Sequence, residues 1–326
     1  MQDVIIGVDL GGTNIKAGLL TTEGEVLHRC RCTTNASGGP QVVARRIAEA
    51  ALECRDASPG GPARVLGIGI GSPGAIAVQA GVVFSAPNLP GFDNLPLRDM
   101  VQELTGLPCT LENDANAAAV GEQWVGAGRG ATSLVMLTLG TGIGGGIVLE
   151  GEVWHGFGGV AGEIGHMSIQ ADGPRCACGN LGCIEAFASA TAIVRRMKET
   201  IASGRPTHLA ERAADLTARD IHEAAVAGDA AALENMKETG RCLGVAITNI
   251  LHVLNPQVVV LSGGVCAAGD MLMKPIRDEI QRRAIPACGR GVQVRFALLG
   301  EDTGIIGAAR SFMLLGGARP HRQLGR

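Results

Sequence analysis

A short pattern that occurs twice sets the strongest limit on what this chain can fold into. Residues 4–10, VIIGVDL, form an apolar run that ends in Gly11, Gly12 and Thr13, and NIKAGLL follows at once. Residues 133–139, SLVMLTL, end in Gly140, Thr141 and Gly142, and IVLEGEV follows a few residues later. Each stretch reads as a buried strand, a tight Gly turn and a returning strand, the opening of an antiparallel meander. Two such openings far apart in the sequence ask for two sheets. A chain of 326 residues is long enough to bury a core against each. The likeness is one of pattern, and by itself it does not prove an internal duplication.

The rest of the chain alternates in the same sense. Helical periodicity runs over 41–55, over LRDMVQELTG up to Gly106, through the Ala-rich stretch after Asp114, and over 186–201 and 217–254. Apolar strand runs appear at 65–74, in PCTLEND, in NPQVVVLSGGV at 255–265 and in VQVRFALL. DTGIIGAARSFMLL reads as a closing helix that packs back on the first lobe. The expected class is therefore α/β in two lobes.

Composition narrows the function. Hydrophobic residues make up 46% of the chain, yet there is no Tyr and there are only six Phe and two Trp, so the cores must be aliphatic. The 49 glycines fall at the ends of apolar runs, which points to turns where backbone approaches a ligand or another strand. A net charge of −3 gives no reason to expect nucleic acid or an anionic membrane as partner. Phosphate binding, if present, must be local. No apolar run is long enough to span a bilayer, and no signal-peptide pattern opens the chain, so a cytoplasmic location is expected.

Five constellations carry chemistry. In the first, Asp9, Gly11, Gly12, Thr13 and Lys16 form a strand-end turn whose free N–H groups, hydroxyl and ammonium suit phosphate oxygens, with Asp9 placed to hold a metal through water. A plain hairpin turn explains the glycines equally well. In the second, Thr138, Gly140, Thr141 and Gly142 repeat the theme. Gly140, Gly142 and Gly145 match GxGxxG, as do Gly69, Gly71 and Gly74, but that dinucleotide fingerprint needs a helix to begin at the loop. Here extended chain follows both. In the third, Asn113 and Asp114 stand before the Ala-rich helix. A carboxylate there is either a helix N-cap or, if it faces a substrate hydroxyl, a general base.

The fourth constellation is the most specific. Glu163 and His166 are followed by Cys176, Cys178, Cys183 and Glu185. One His and three Cys among Gly-rich turns make a Cys₃His tetrahedral zinc set with no open position, hence a structural metal. A Cys176–Cys178 redox pair and unligated thiols are the alternatives. The other seven cysteines are scattered and read as reduced thiols. In the fifth, Gly263 and Gly264 end a strand, either as a simple turn or as flat backbone against a planar base.

Taken together, these residues resemble the ROK family of repressors, open reading frames and sugar kinases. The matching stretches are GVDLGGTNIKAGL, LENDANAAA, LGTGIGGGIV, the segment from Gly159 to His166, CACGNLGCIE and LSGGV, spread over nearly the whole chain. The resemblance implies an actin-like (ribonuclease H-like) two-lobed kinase fold with an active-site cleft between lobes. Expected boundaries are a small lobe over 1–114 plus 308–326 and a large lobe over 115–307 carrying the zinc loop. It further implies ATP with Mg²⁺ as cosubstrate, structural Zn²⁺, and phosphorylation of glucose to glucose 6-phosphate. Asp114 would be the base, and Asn113, Glu163, His166 and Glu185 the sugar ligands beside it. Asp9, Gly11, Gly12, Thr13, Thr138, Gly140, Thr141 and Gly142 would hold phosphates, and Gly263 and Gly264 the nucleotide base. His166, Cys176, Cys178 and Cys183 would hold zinc. Fructose, N-acetylmannosamine and a polyphosphate donor remain open within the family, as does a non-catalytic sugar sensor. A repressor would need a helix-turn-helix ahead of Asp9, which only eight residues precede. A homodimer or homotetramer is expected by resemblance.

Overall fold

The structure is a computed structural model, and it describes residues 2–57 and 64–316. The chain opens with β1 (Asp3–Leu10), β2 (Asn14–Thr21) and β3 (Val26–Thr33), an antiparallel meander. Helix α1 (Pro40–Asp56) starts on Pro40, whose fixed φ and missing N–H suit a first turn. Strand β4 (Arg64–Ser72) lies parallel to β1. A small three-stranded sheet of β5 (Ala75–Ala77), β6 (Val82–Ser85) and β7 (Asp93–Leu95) follows. Helix α2 (Leu97–Thr105) stops at Gly106, which takes φ 68°. Strand β8 (Cys109–Asn113) then adds parallel to β4, and α3 (Asp114–Val125) leaves from its end.

The second meander is β9 (Leu134–Leu139), β10 (Ile143–Leu149) and β11 (Glu152–Val153). A single helical turn at Ile164–His166 precedes α4 (Glu185–Ala188) and α5 (Ala190–Ala202). The long helical run expected over 217–254 is two helices, α6 (Ala218–Val226) and α7 (Ala230–Val253). Asp229 divides them by accepting from the N–H groups of Ala231 and Ala232, so it caps α7. Strand β12 (Val258–Ser262), α8 (Asp270–Arg283), α9 (Pro286–Gly289) and β13 (Gln293–Phe296) follow, and α10 (Thr303–Gly316) ends the described chain.

The strand orders are β3-β2-β1-β4-β8 and β11-β10-β9-β12-β13. Each is a meander with two parallel strands added on the far side of its first strand. The likeness seen in two Gly turns thus extends over whole sheets. This is the actin-like, ribonuclease H-like architecture that the family resemblance implies.

Contacts divide the chain into two compact units. One comprises the described residues up to Gly130, Val148–Ala161 and the described residues from Leu298 on; the other comprises Ala131–Ile147 and Gly162–Ala297. The sequence places the divisions at 114/115 and 307/308 instead, and the last ten residues of its small lobe, 317–326, lie outside the described residues. Helix α3 falls wholly in the first unit because its small residues pack on α10.

In the first unit, strand alternation gives β1 two different faces. Val4, Ile6 and Val8 join Val43, Ile47 and Ala51 of α1 in one core, while Ile5 meets Ile305, Ala309 and Phe312 of α10. Between them on the α10 side, the register aligns Gly18, Gly7 and Gly69 across β2, β1 and β4. A Cβ on Gly7 would lie 1.9 Å from the Ile305 carbonyl oxygen, and one on Gly69 1.8 Å from that of Ala308. The helix backbone therefore rests directly on the sheet, which only glycine permits. These glycines lie inside strands, not at their ends where composition placed them. The end of α3 is tied down by buried Glu122, whose carboxylate accepts from the N–H groups of Ala127, Leu298 and Leu299. In the second unit, Leu137, Leu139, Val259 and Leu261 form a core with Leu243 and Ile247 of α7 and Leu272 and Ile276 of α8.

Candidate active site

The first unit gathers its functional side chains at the carboxyl ends of parallel strands, where open α/β sheets bind ligands. Asp9 pairs in register with Gly71 of β4, and Gly71 with Glu112 of β8. Asp9, the Gly11–Gly12 turn and the start of α3 therefore share one end of one sheet. The turn closes through a Gly11 N–H bond to the Asn14 carbonyl at 3.0 Å. Thr34 Oγ1 donates to the Gly11 carbonyl at 2.6 Å and holds it from the other side. Gly12 and Thr13 are exposed. Lys16 is committed elsewhere: its Nζ lies 3.3 Å from Glu301 Oε2.

Asn113 and Asp114 divide the work that sequence alone left to one carboxylate. Asn113, not Asp114, is the cap: its Oδ1 accepts from the N–H groups of Ala115 at 2.9 Å and Asn116 at 3.1 Å, while Nδ2 donates to the Gly74 carbonyl. Asp114 is the first helical residue, and its Oδ1 accepts from Ala115 N–H at 2.8 Å. Its surface is open to solvent, yet protein surrounds it densely enough to strip hydration. That burial is the main cause pushing its carboxyl up to about 6, with the Asp9 charge adding to the rise against the Ala115 N–H bond. Asp9 is itself raised by burial, with Lys16 pulling the other way.

The second unit repeats the strand-end arrangement. Thr138 at the end of β9 pairs in register with Ser262 at the end of β12. The turn after β9 closes by Gly140 N–H to the Gly142 carbonyl at 2.9 Å. Two side chains brace it: Thr191 Oγ1 donates to the Thr141 carbonyl, and Glu185 Oε2 accepts from Ile143 N–H at 2.9 Å. Gly263 takes φ 96°, and a Cβ there would lie 2.4 Å from the Leu139 carbonyl oxygen, so close strand packing already requires it to be glycine. Beside Gly264 there is open space.

His166, Cys176, Cys178 and Cys183 present ligand atoms that all lie within 4.8 Å of one another. The gap from Cys176 Sγ to His166 Nδ1 is 3.7 Å, and that from Cys178 Sγ to Cys183 Sγ is also 3.7 Å. A tetrahedral zinc with bonds of about 2.3 Å sets neighbouring sulfurs about 3.8 Å apart. The donor set and its spacing therefore fit zinc, and these thiols are not paired as disulfides. His166 turns Nδ1 toward the cluster, which leaves Nε2, 3.8 Å from Glu163 Oε2, on the other side of the ring. Glu163 is exposed. Glu185 stands between the two features, with Oε1 3.4 Å from Cys176 Sγ and Oε2 on the Gly140–Gly142 turn. Sequence reasoning had Glu185 as a sugar ligand only, and its bracing of the turn has no mark in the motif. Buried Glu112, two residues before Asp114, and half-buried His155, 2.8 Å from it, carry no sequence signal that marks them.

The model describing the ROK family matches residues 5–313. Among similar proteins, a glucokinase from Halalkalibacterium halodurans is 42% identical over 93% of this chain and 92% of its own length. One from Thermotoga maritima is 40% identical over 94% and 96%. Among solved structures, a ROK family glucokinase from Streptomyces griseus in complex with glucose and AMPPNP superposes with a TM-score of 0.76 at 35% identity, covering 94% of this chain and 98% of that one.

Proposed function

The chain belongs to the ROK family, and we propose that it phosphorylates glucose from ATP, with Asp114 as the general base. The observation that carries this reading is Asp114 itself. It is reachable from solvent, freed from capping by Asn113, and tuned by burial to about 6. A base with that pKa is ionised at neutral pH and still accepts a proton readily as the sugar oxygen attacks the γ-phosphorus. The named relatives are glucokinases, which favours glucose over other hexoses.

The remaining residues take roles that follow from their chemistry. The N–H groups that the Gly11–Gly12 and Gly140–Gly142 turns do not use to close themselves serve phosphate oxygens, and Gly264 leaves room for the base of the nucleotide. Asp9 would hold Mg²⁺, which when bound would supply charge neutralisation on the phosphates. Glu163 and the Nε2 side of His166 accept and donate to sugar hydroxyls. Glu185 supports sugar and phosphate turn together. His166, Cys176, Cys178 and Cys183 would hold a structural zinc, which would fix the His166 ring. No helix among the described residues is long and apolar enough to cross a membrane, which agrees with a reaction on dissolved substrates.

Asp114→Asn tests the reading. Removal of a positioned base costs about 10²–10⁴ in rate, so turnover falls by that factor while glucose still binds. The assay is ATP-dependent phosphorylation over glucose, fructose, mannose and N-acetylmannosamine. Near-normal turnover in the variant removes Asp114 from the role, and a faster reaction with N-acetylmannosamine removes glucose.

A further inference from the structure

Glu112 ends in the strand just before Asn113 and Asp114, and its side chain is 1% exposed. Three donors converge on it. Its Oε1 accepts from Asn113 N–H at 2.9 Å and from Asn116 Nδ2 at 3.2 Å, and its Oε2 accepts from His155 Nε2 at 2.8 Å. Three donors fill the acceptor sites of this carboxyl group. Asn116 turns its amide to serve it, and its own buried Oδ1 is left without a partner. A buried polar group needs these hydrogen bonds. Burial alone would push the His155 imidazole down, but the Glu112 hydrogen bond and charge outweigh it and hold His155 above its ordinary value.

His155 is also the foot of a loop. Its carbonyl accepts from Ala161 N–H at 3.0 Å and so closes residues 155–161. Within the loop Gly156 and Gly159 take φ 69° and 79°, while Phe157 and Val160 are exposed. A loop with so little packing of its own stays where its foot is held. One oxygen of Glu112 thus fixes the first turn of α3, whose first residue is Asp114. The other fixes the foot of the loop, and the chain runs from there to Glu163 and His166.

We propose that His155 is a positioning residue for the reaction: through Glu112 it locks loop 155–161 to the strand–helix junction that aims Asp114. The inference rests on Asp114 being the base. His155 touches no reacting atom; it acts on where the base and the loop stand.

The test compares purified full-length His155→Ala, His155→Gln and Glu112→Asp with the parent chain, assayed well below each melting temperature. Misplacing a catalytic group by about 1 Å costs up to about 100-fold. The alanine variant is therefore expected to lose about 10- to 100-fold in kcat, with KM for ATP within about twofold. Gln keeps an N–H donor at similar reach and restores most of the loss. Asp is one methylene short, cannot reach both partners, and falls with the alanine variant. Unchanged kcat in His155→Ala, or equal loss in the Ala and Gln variants, overturns the inference while the kinase reading stands. A parent chain that phosphorylates no hexose overturns the kinase reading and this inference with it.

Discussion

The two sheets share one strand order and are finished in different ways. In the first unit the sheet itself is backed by bare contact, with α10 on the Gly18, Gly7 and Gly69 row, and a single hydroxyl, Thr34 Oγ1, holds the Gly11 carbonyl of the strand-end turn. In the second unit the turn is held by side chains that reach in from a ligand cluster, with Glu185 joining the Gly140–Gly142 turn to Cys176. Support at a strand end can thus come from missing side chains that let a helix lie on the sheet, or from a carboxylate that also reaches a thiol cluster. The first route makes the unit intolerant of added atoms, and the second would tie the turn to any ion the cluster holds.

The largest expected effect breaks the second unit alone. Cys183→Ser would remove one of the four ligands proposed for zinc and expose the site to loss of the metal. Structural zinc is worth roughly 10–16 kcal/mol in small domains, and here much of that energy is expected to order residues 166–185. Glucose phosphorylation is lost, zinc falls well below one per chain, and proteolysis opens within 166–185 while residues 64–130 stay protected. Equal loss of protection in both units would mean that the zinc supports the whole chain and that the contrast is false.

A smaller effect sharpens the contrast within glycines. Gly69→Ala places a methyl group 1.8 Å from the Ala308 carbonyl oxygen, and backbone cannot yield as a side-chain end can. The expected cost is ~3 kcal/mol or more, seen as a fall in Tm. Gly264→Ala enters open space in the second unit. It should cost under ~1 kcal/mol in stability and raise KM for ATP instead. The reverse ranking would sink the assignment of Gly69 to packing and Gly264 to ligand.

These cases explain which parts of the molecule were legible in the sequence. Strand–turn–strand patterns and the Cys and His spacing were readable because both are local: period-2 apolar runs and four ligands within eighteen residues. The zinc-type cluster forms from the residues that spacing named. The glycine row was not readable, because Gly18, Gly7 and Gly69 meet only through sheet register and the meaning lies in a helix more than 200 residues away in sequence. Glu112 and His155 were invisible for the same reason, since a single His in a Gly-rich stretch has no period and no spacing partner. The exchange of roles between Asn113 and Asp114 was also out of reach: either residue type can cap, and only backbone geometry decides.

The smallest effect concerns Asp114 and pH, and its sign separates catalysis from stability. The carboxyl stands at about 6 when folded, against an unfolded value of 3.8, because burial opposes the charge. Between those two pH values the folded chain binds more protons than the unfolded one, so ionising Asp114 lowers stability as pH rises through the window. Activity runs the other way, since only the ionised form accepts the sugar proton. The rate therefore falls as pH drops through about 6, while the contribution of this group to stability improves. Asp114→Asn fixes the group neutral. At pH 7 that variant should melt above the parent chain, and the gain should shrink as pH falls below about 6 and vanish near 4. A gain that persists unchanged at pH 4 would mean that packing, not charge, is the origin. No gain at pH 7 would mean that Asp114 is hydrated well enough to ionise freely, and the first unit would lose its tuned base.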